Sequence, residues 1–431
     1  MKNQKHTIRK VSFKSSLILF AILSVCLALP SQAGNMVCHV SNSGTGDGSS
    51  WTESMDLHSA LADVNCSEIW VQSGTYYPTT GTDRFVSFVI DRTLKLYGGF
   101  AGNETSLNQR TPELYPTILS GNIGDENVDS DNTRTVIYID GTDEIGNITT
   151  STEINGFTIT KGYTNYGAGI YCDGNGAGNE CSPLLQNLTF IGNHAYGGGA
   201  IFNNGIIGGN SSPTIINSTF AYNTSELGGP AVYNDAYDGV SSPVFENVTF
   251  FSNHSDTLAG VMYTRAFSNG DSRPVFNHAT FYLNSSAQSG GVFNIASSGS
   301  TSLLLTVTNS IFWGNTADIE SPITHPSNVA GSFSDNIIDV DCPLSPVTDC
   351  TNTITDDPIL SPLGNYGGFT QTILPGMFGS AIDTASTGTC LDTDQRGILR
   401  PQNAACDMGA VEFLESDEII FKDGFEAVTI D

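Results

Sequence analysis

The sequence predicts an all-β fold, a single-stranded right-handed parallel β-helix with an N-terminal capping helix, and three observations carry that expectation. Between Asn187 and Asn315 the chain returns five times to Phe-x-x-Asn, at Phe190, Phe220, Phe250, Phe281 and Phe312, with spacings of 30, 30, 31 and 31 residues. A period this constant marks one structural unit per repeat. Each unit holds short apolar runs rich in β-branched and aromatic residues and bounded by Gly, Asn, Ser and Pro, which is the composition of strands. The period is also shorter than the roughly 40 residues and four strands of a propeller blade. One turn of a coil per period is what remains.

The elements follow in chain order. Lys2, Lys5, Arg9, Lys10 and Lys14 precede the apolar run Leu17 to Leu29 and then Ser31-Gln32-Ala33, the three-part layout of an export signal. Residues 1–33 are therefore set aside, with cleavage expected after Ala33. The run is too short for a comfortable span, so no transmembrane segment is expected in the mature chain. Cys26 lies inside the apolar core behind the branched Val25, which argues against a lipoprotein signal. Further on, Leu57, Ala60, Leu61 and Val64 fall at i, i+3, i+4, i+7, with Ser54 placed as N-cap and Asp56 in the first turn. This is the expected capping helix, shielding the open edge of the coil stack. Val86 to Ile90, Leu94 to Tyr97, Thr117 to Leu119 and Val136 to Ile139 read as strands of irregular first coils.

In the regular part each repeat runs Ser-Pro, a strand, Asn-x-Thr-Phe-x-x-Asn, a polar turn, and then Gly with a second apolar run, as in Gly198-Gly199-Ala200-Ile201-Phe202. Stacked rungs place equivalent residues above one another about 4.8 Å apart. The Phe series becomes an interior stack and the Asn series a ladder at the turn. Asn suits that place because it tolerates left-handed backbone and because stacked amides bond from rung to rung. The Asn-x-Ser/Thr triplets so generated resemble glycosylation acceptors but are read as structural. Eight cysteines remain after the leader, and in an exported chain they are read as disulfides. Proximity along the chain pairs Cys38 with Cys66, Cys172 with Cys181, Cys342 with Cys350 and Cys390 with Cys406.

These residues carry a resemblance. Phe-x-x-Asn followed by Gly-Gly-Ala-Ile resembles the repeat of the polymorphic outer-membrane proteins, a β-helical surface family. Gly46-Asp-Gly-Ser-Ser-Trp, Ile69-Trp-Val and Tyr97-Gly-Gly-Phe-Ala-Gly resemble the start of bacterial right-handed β-helix proteins. Asp394-Gln-Arg-Gly-Ile-Leu-Arg-Pro with Cys406-Asp-Met-Gly-Ala-Val-Glu resembles the choice-of-anchor domain, letter Q. The implied organisation is a signal peptide at 1–33, an N-terminal cap with irregular coils at 34–149, regular repeats at 150–340, a choice-of-anchor-like region at 341–413 and a tail at 414–431. The implied place is secreted or on the bacterial cell surface.

Removing the leader takes away five of the 16 Lys and Arg and none of the 44 Asp and Glu, leaving 11 basic residues and a net charge of −33. Such a balance repels nucleic acid, anionic lipid and acidic polysaccharide unless cations bridge the two. Adhesion, to an extracellular glycan or a cell-surface receptor, is the expected role. Tyr171, Phe202, Tyr233 and Tyr263 either line one face of the coil or stack inside it, and interior stacking is the favoured reading.

Right-handed β-helices also carry pectate lyases and other polysaccharide enzymes, and glycoside hydrolysis needs convergent carboxylates. From Thr150 to Ser300 there are nine acids, few of them at equivalent places. The tightest group is Asp235, Asp238 and, one period on, Arg265. Its plain reading is a rung-to-rung salt bridge; the alternative is a lyase-like calcium carboxylate with Arg265 as base. His194 and His254 lie two rungs apart, too far to share a metal. Asp125, Asn127, Asp129 and Asp131 space oxygen ligands at alternate positions, as calcium loops do, so Ca²⁺ is the one cofactor expectation, with a solvated acidic turn as its alternative.

Overall fold

The computed structural model describes residues 36–142, 146–298, 302–317, 323–324, 330–339 and 347–417. The expected export signal, Cys342 and the tail beyond 417 lie outside them. The strands stack in four parallel sheets of 12, nine, eight and six strands, a parallel β-solenoid of about nine turns. Sheet A runs from Met36–Val40 to Val347–Thr351, sheet B from Gly74–Tyr76 to Ile337–Ile338, sheet C from Phe88–Ile90 to Ile323–Thr324, and sheet D from Tyr163–Tyr166 to Thr316–Ala317. The strands expected before the regular repeat fall at Phe88–Ile90, Lys95–Phe100, Thr117–Ser120 and Ile137–Asp140.

The Phe series is in register on sheet B, Phe190 to Phe220 to Phe250 to Phe281 to Phe312. Their rings stack inside the coil at 4.6, 5.0, 5.0 and 4.5 Å. Burying each contributes about 1.5–3 kcal/mol, and each ring contact about 0.5–1.5 kcal/mol more.

The Asn ladder holds for one of its two expected reasons. Asn193, Asn223, Asn253, Asn284 and Asn315 pass amide bonds along the axis at 3.1, 3.0, 2.9 and 2.9 Å. Each of the last four also donates to the carbonyl of the Phe in the preceding turn. The left-handed conformation falls elsewhere, on Gly192, Tyr222, Ser252, Leu283 and Gly314 just before the ladder and on Asn187, Asn217, Asn247, His278 and Asn309 three residues before the Phe. The ladder residue is Asn because its amide both donates and accepts.

The expected capping helix is reduced to a turn and a half, Leu57–Ala62. Its N-cap is Asp56, which accepts from the Ser59 amide at 3.0 Å, and not Ser54, whose hydroxyl is bonded to Ser41. Leu57, Ala60 and Leu61 join the main core, whereas Val64 lies past the C-cap Asp63 and is 63% exposed. Three of the four proximity disulfides form: Cys38–Cys66, Cys172–Cys181 and Cys390–Cys406. Cys350 is also disulfide-bonded.

The C-terminal segment 358–417 folds back over the outer face of sheet B. Gln395 is its central tie: the amide nitrogen donates to Thr219 and Thr370 at 2.8 and 2.9 Å, and the oxygen accepts from Thr249 and Thr372 at 2.7 and 3.0 Å. Ile373 packs with Ala221 and Phe251 beneath it. Arg400 pairs with Glu412 at 3.0 Å and Arg396 with Asp394 at 3.0 Å, all four side chains buried. The Asp-Gln-Arg and Cys-Asp-Met-Gly motifs thus build an intrachain clasp.

Candidate functional site: the outer face of sheet C

Side chains alternate between faces along a strand, and on sheet C this sorts two columns. Ile137 and Ile139, Ile170 and Cys172, and Val232 enter the main core. The residues between them point outward: Tyr138 and Asp140, Tyr171 and Asp173, Phe202 and Asn204, Tyr233 and Asp235, Tyr263 and Arg265, in register from turn to turn. An aromatic column therefore runs beside a polar one along the solenoid axis. The rings step at 5.5, 5.1, 5.2 and 4.9 Å.

This corrects the interior reading of the aromatic series. Phe202, Tyr233 and Tyr263 form a cluster of their own outside the main core, with Leu227 of sheet D and Leu258 packed against it. They are outward-facing yet covered. Toward the N-terminal turns the cover ends: Tyr166 and Tyr196 of sheet D are 36% and 39% exposed, and Tyr138 and Tyr171 are half-buried. There a groove of about 380 Å³ opens, lined by Phe85, Val89, Arg134, Tyr138, Tyr166 and Tyr171 among others, within the roughly 300–1,000 Å³ of small-ligand sites.

The polar column is wired to the rings. The Tyr138 hydroxyl donates to Asp173 at 2.6 Å, and Asn204 donates to Asp173 and to the Tyr171 hydroxyl at 2.9 and 3.1 Å. Burial raises the Tyr138, Tyr171, Tyr233 and Tyr263 hydroxyls above their ordinary range. They stay protonated at physiological pH and act as neutral hydrogen-bonding groups.

Asp235 and Arg265 sit in register on adjacent turns and form a two-point pair, Nε to Oδ1 at 3.1 Å and Nη2 to Oδ2. Asp235 is buried. Burial works against the Arg265 charge, but the bond it donates to Asp235, with the neighbouring tyrosines and the carboxylate charge, outweighs it and holds the guanidinium above its ordinary value. A side chain so held is a poor proton acceptor. Asp238 stands apart, exposed at a left-handed turn.

Of the four expected calcium ligands, Asp125, Asn127 and Asp131 are bonded to one another within the turn and Asp129 to a lysine outside it. Asp125 accepts from the Asn127 amide at 3.0 Å, Asp131 accepts from the Asp125 amide at 2.9 Å, and Asp129 pairs with Lys161 at 3.0 Å. Among the described residues no three His, Cys, Asp or Glu side chains gather as a metal site. His194 and His254 stand two turns apart on sheet D, with Thr224 between them, each bonded to the hydroxyl of the next turn at 2.8 Å.

Sequence reasoning missed Tyr138, Tyr166, Tyr196, Phe85 and Arg134. The first had a signal: Tyr138-x-Asp, Tyr171-x-Asp, Phe202-x-Asn, Tyr233-x-Asp and Tyr263-x-Arg recur at 33, 31, 31 and 30 residues. Phe85 and Arg134 come from the irregular turns and carry no repeat signal.

No family model matches the chain, and no curated protein matches it. Its class is that of a parallel β-solenoid. Among the described residues no helix is long and apolar enough to cross a membrane.

Proposed function

We propose that the protein is exported and works in the secreted or cell-surface space as a right-handed β-solenoid module that contacts a glycan without catalysis. The observation that supports this reading is the open end of the aromatic column, where exposed rings stand beside amide and hydroxyl groups and the Asp173 carboxylate holds the Tyr138 hydroxyl. Sugar rings present apolar faces to aromatics and hydroxyl edges to such polar groups. In this reading Leu57–Ala62 plugs the N-terminal end of the coil, and the choice-of-anchor-like region serves the solenoid as its clasp.

The test has two arms. Fractionating cells and medium places the protein: recovery from the cytosol would sink the export part. Retention on a panel of immobilised oligosaccharides, reduced by Tyr166→Ala at unchanged melting temperature, is the expected result for the glycan part, and no retention on any of them counts against it. A receptor protein is the competing partner, detected by pull-down with the same variant. The lyase reading has less support, because Arg265 is tied to Asp235 and Asp238 is remote from the pair.

A further inference from the structure

The groove contains an arginine whose pairing differs from that of the other described arginines. Arg134 is exposed, and its guanidinium lies over the Phe85 ring at 4.1 Å from the centroid. Among the described residues no carboxylate and no carbonyl takes its N–H groups. The other described arginines each hold one: Arg84, Arg92 and Arg110 bond backbone carbonyls, and Arg265, Arg273, Arg396 and Arg400 pair with carboxylates. In a chain with 44 acidic against 16 basic residues, an exposed guanidinium that no described acid pairs with is informative. Phe85 beneath it is 72% exposed, a large ring held in water with a cation on one face.

Stacking on an aromatic face fixes a guanidinium's plane while leaving its edge free, and that planar fork matches a carboxylate with two parallel bonds. Across the same groove stand Tyr138, Tyr166 and Tyr171, with Thr164 and Asn165 at the rim. We propose that this groove binds a sugar ring bearing one carboxylate, with Arg134 taking the carboxylate and the tyrosine rings taking the apolar face of the sugar. The inference rests on the glycan reading above and adds the ligand's class.

The charge of the whole chain is compatible with such a ligand. The field of a strongly acidic protein repels a polyanion, but at physiological salt charges beyond about 8 Å are largely screened. A single carboxylate in contact with Arg134 responds to the near cation. Uronic acids and sialic acids share this chemistry, and the test separates them.

The experiment is calorimetric titration of the full mature chain with a glucuronate-terminated trisaccharide, a sialyl trisaccharide, and the methyl ester of each. The expected result is that one acid binds about tenfold or more tighter than its own ester, and that Arg134→Gln removes the difference while leaving the ester unchanged. Phe85→Ala is expected to weaken the acid as well, by freeing the guanidinium. Both residues are exposed, so unchanged melting temperatures establish that the variants fold. Equal binding of acid and ester, or Arg134→Gln binding the acid as the parent does, overturns the proposal while the glycan reading stands. If neither these probes nor the neutral oligosaccharide panel binds, the glycan reading fails and this inference fails with it.

Discussion

Asp235 and Arg265 face each other across adjacent turns of sheet C, joined through both carboxylate oxygens, the acid buried and the guanidinium reaching solvent. The pair closes the polar column where the aromatic column is most covered. Removing Arg265 leaves a buried carboxylate without its partner, which costs about 1–3 kcal/mol. Arg265→Ala is expected to lower the urea midpoint accordingly, whereas Asp235→Asn with Arg265→Met recovers part of the loss. In polygalacturonate with Ca²⁺ neither parent nor variant is expected to raise the ultraviolet absorbance of unsaturated product. A rise that Arg265→Ala abolishes would restore the lyase reading.

Asn253 shows how much one ladder position carries. Its amide donates to Asn284 and to the Phe220 carbonyl at 2.9 Å each, and accepts from the Asn223 backbone and side chain at 3.1 and 3.0 Å. All of this is buried. Asn253→Ala strands several polar groups, each worth about 1–3 kcal/mol if left unpaired. The expected loss is therefore about 3 kcal/mol or more by urea melt. Asn253→Asp, which keeps the acceptors but loses both donors and adds a charge, is expected to fare no better.

The period, the parallel solenoid and the Phe stack were legible because each is a one-dimensional signal: equivalent residues recur at the interval that returns the chain to the same azimuth. Three disulfides were legible for a simpler reason, since each joins cysteines that are neighbours along the chain, 28, nine and 16 positions apart. The helix was overread. Apolar spacing continued to Val64, but the backbone turns extended at Asp63, whose carboxylate accepts from the Asn65 amide at 2.9 Å, and the helix stops before Val64. The left-handed positions were misplaced by reasoning from Asn alone, when Tyr222, Ser252 and Leu283 accept that conformation under ladder constraint. The clasp and the groove were illegible, because both join segments far apart in sequence. Gln395 reaches Thr219 across 176 positions, and Phe85 meets Arg134 between adjacent irregular turns that share no repeat motif.

Calcium at the acidic turn would have to take Asp129 from Lys161 and Asp131 from the Asp125 amide. Hard divalent cations require several oxygens converging on one point, and among the described residues no three His, Cys, Asp or Glu side chains gather in that way. Titration of the protein with CaCl₂ is expected to give no binding heat and no change in Tm. Saturable heat that disappears in Asp125→Asn with Asp131→Asn would establish the site.

Asp407 makes the clasp sensitive to pH. Burial, and after it the charge of Glu412, push its carboxyl up to about 7, against the pull of N–H bonds from Phe413 and Asp383 and of the Arg400 charge. Nearby His278 is held neutral by burial and by Arg400, so it supplies no compensating cation. Since the unfolded carboxyl titrates near 3.9, the folded chain binds the extra proton between about pH 4 and pH 7. The stability tied to Asp407 is thus present in acid and is lost as pH rises through about 7. Denaturation at intervals across that range is expected to show the parent chain losing stability faster than Asp407→Asn, whose side chain does not titrate. Limited proteolysis should find residues 358–417 released more readily at the alkaline end in the parent alone. Parallel stability profiles for the two proteins would place the pH response somewhere other than the clasp.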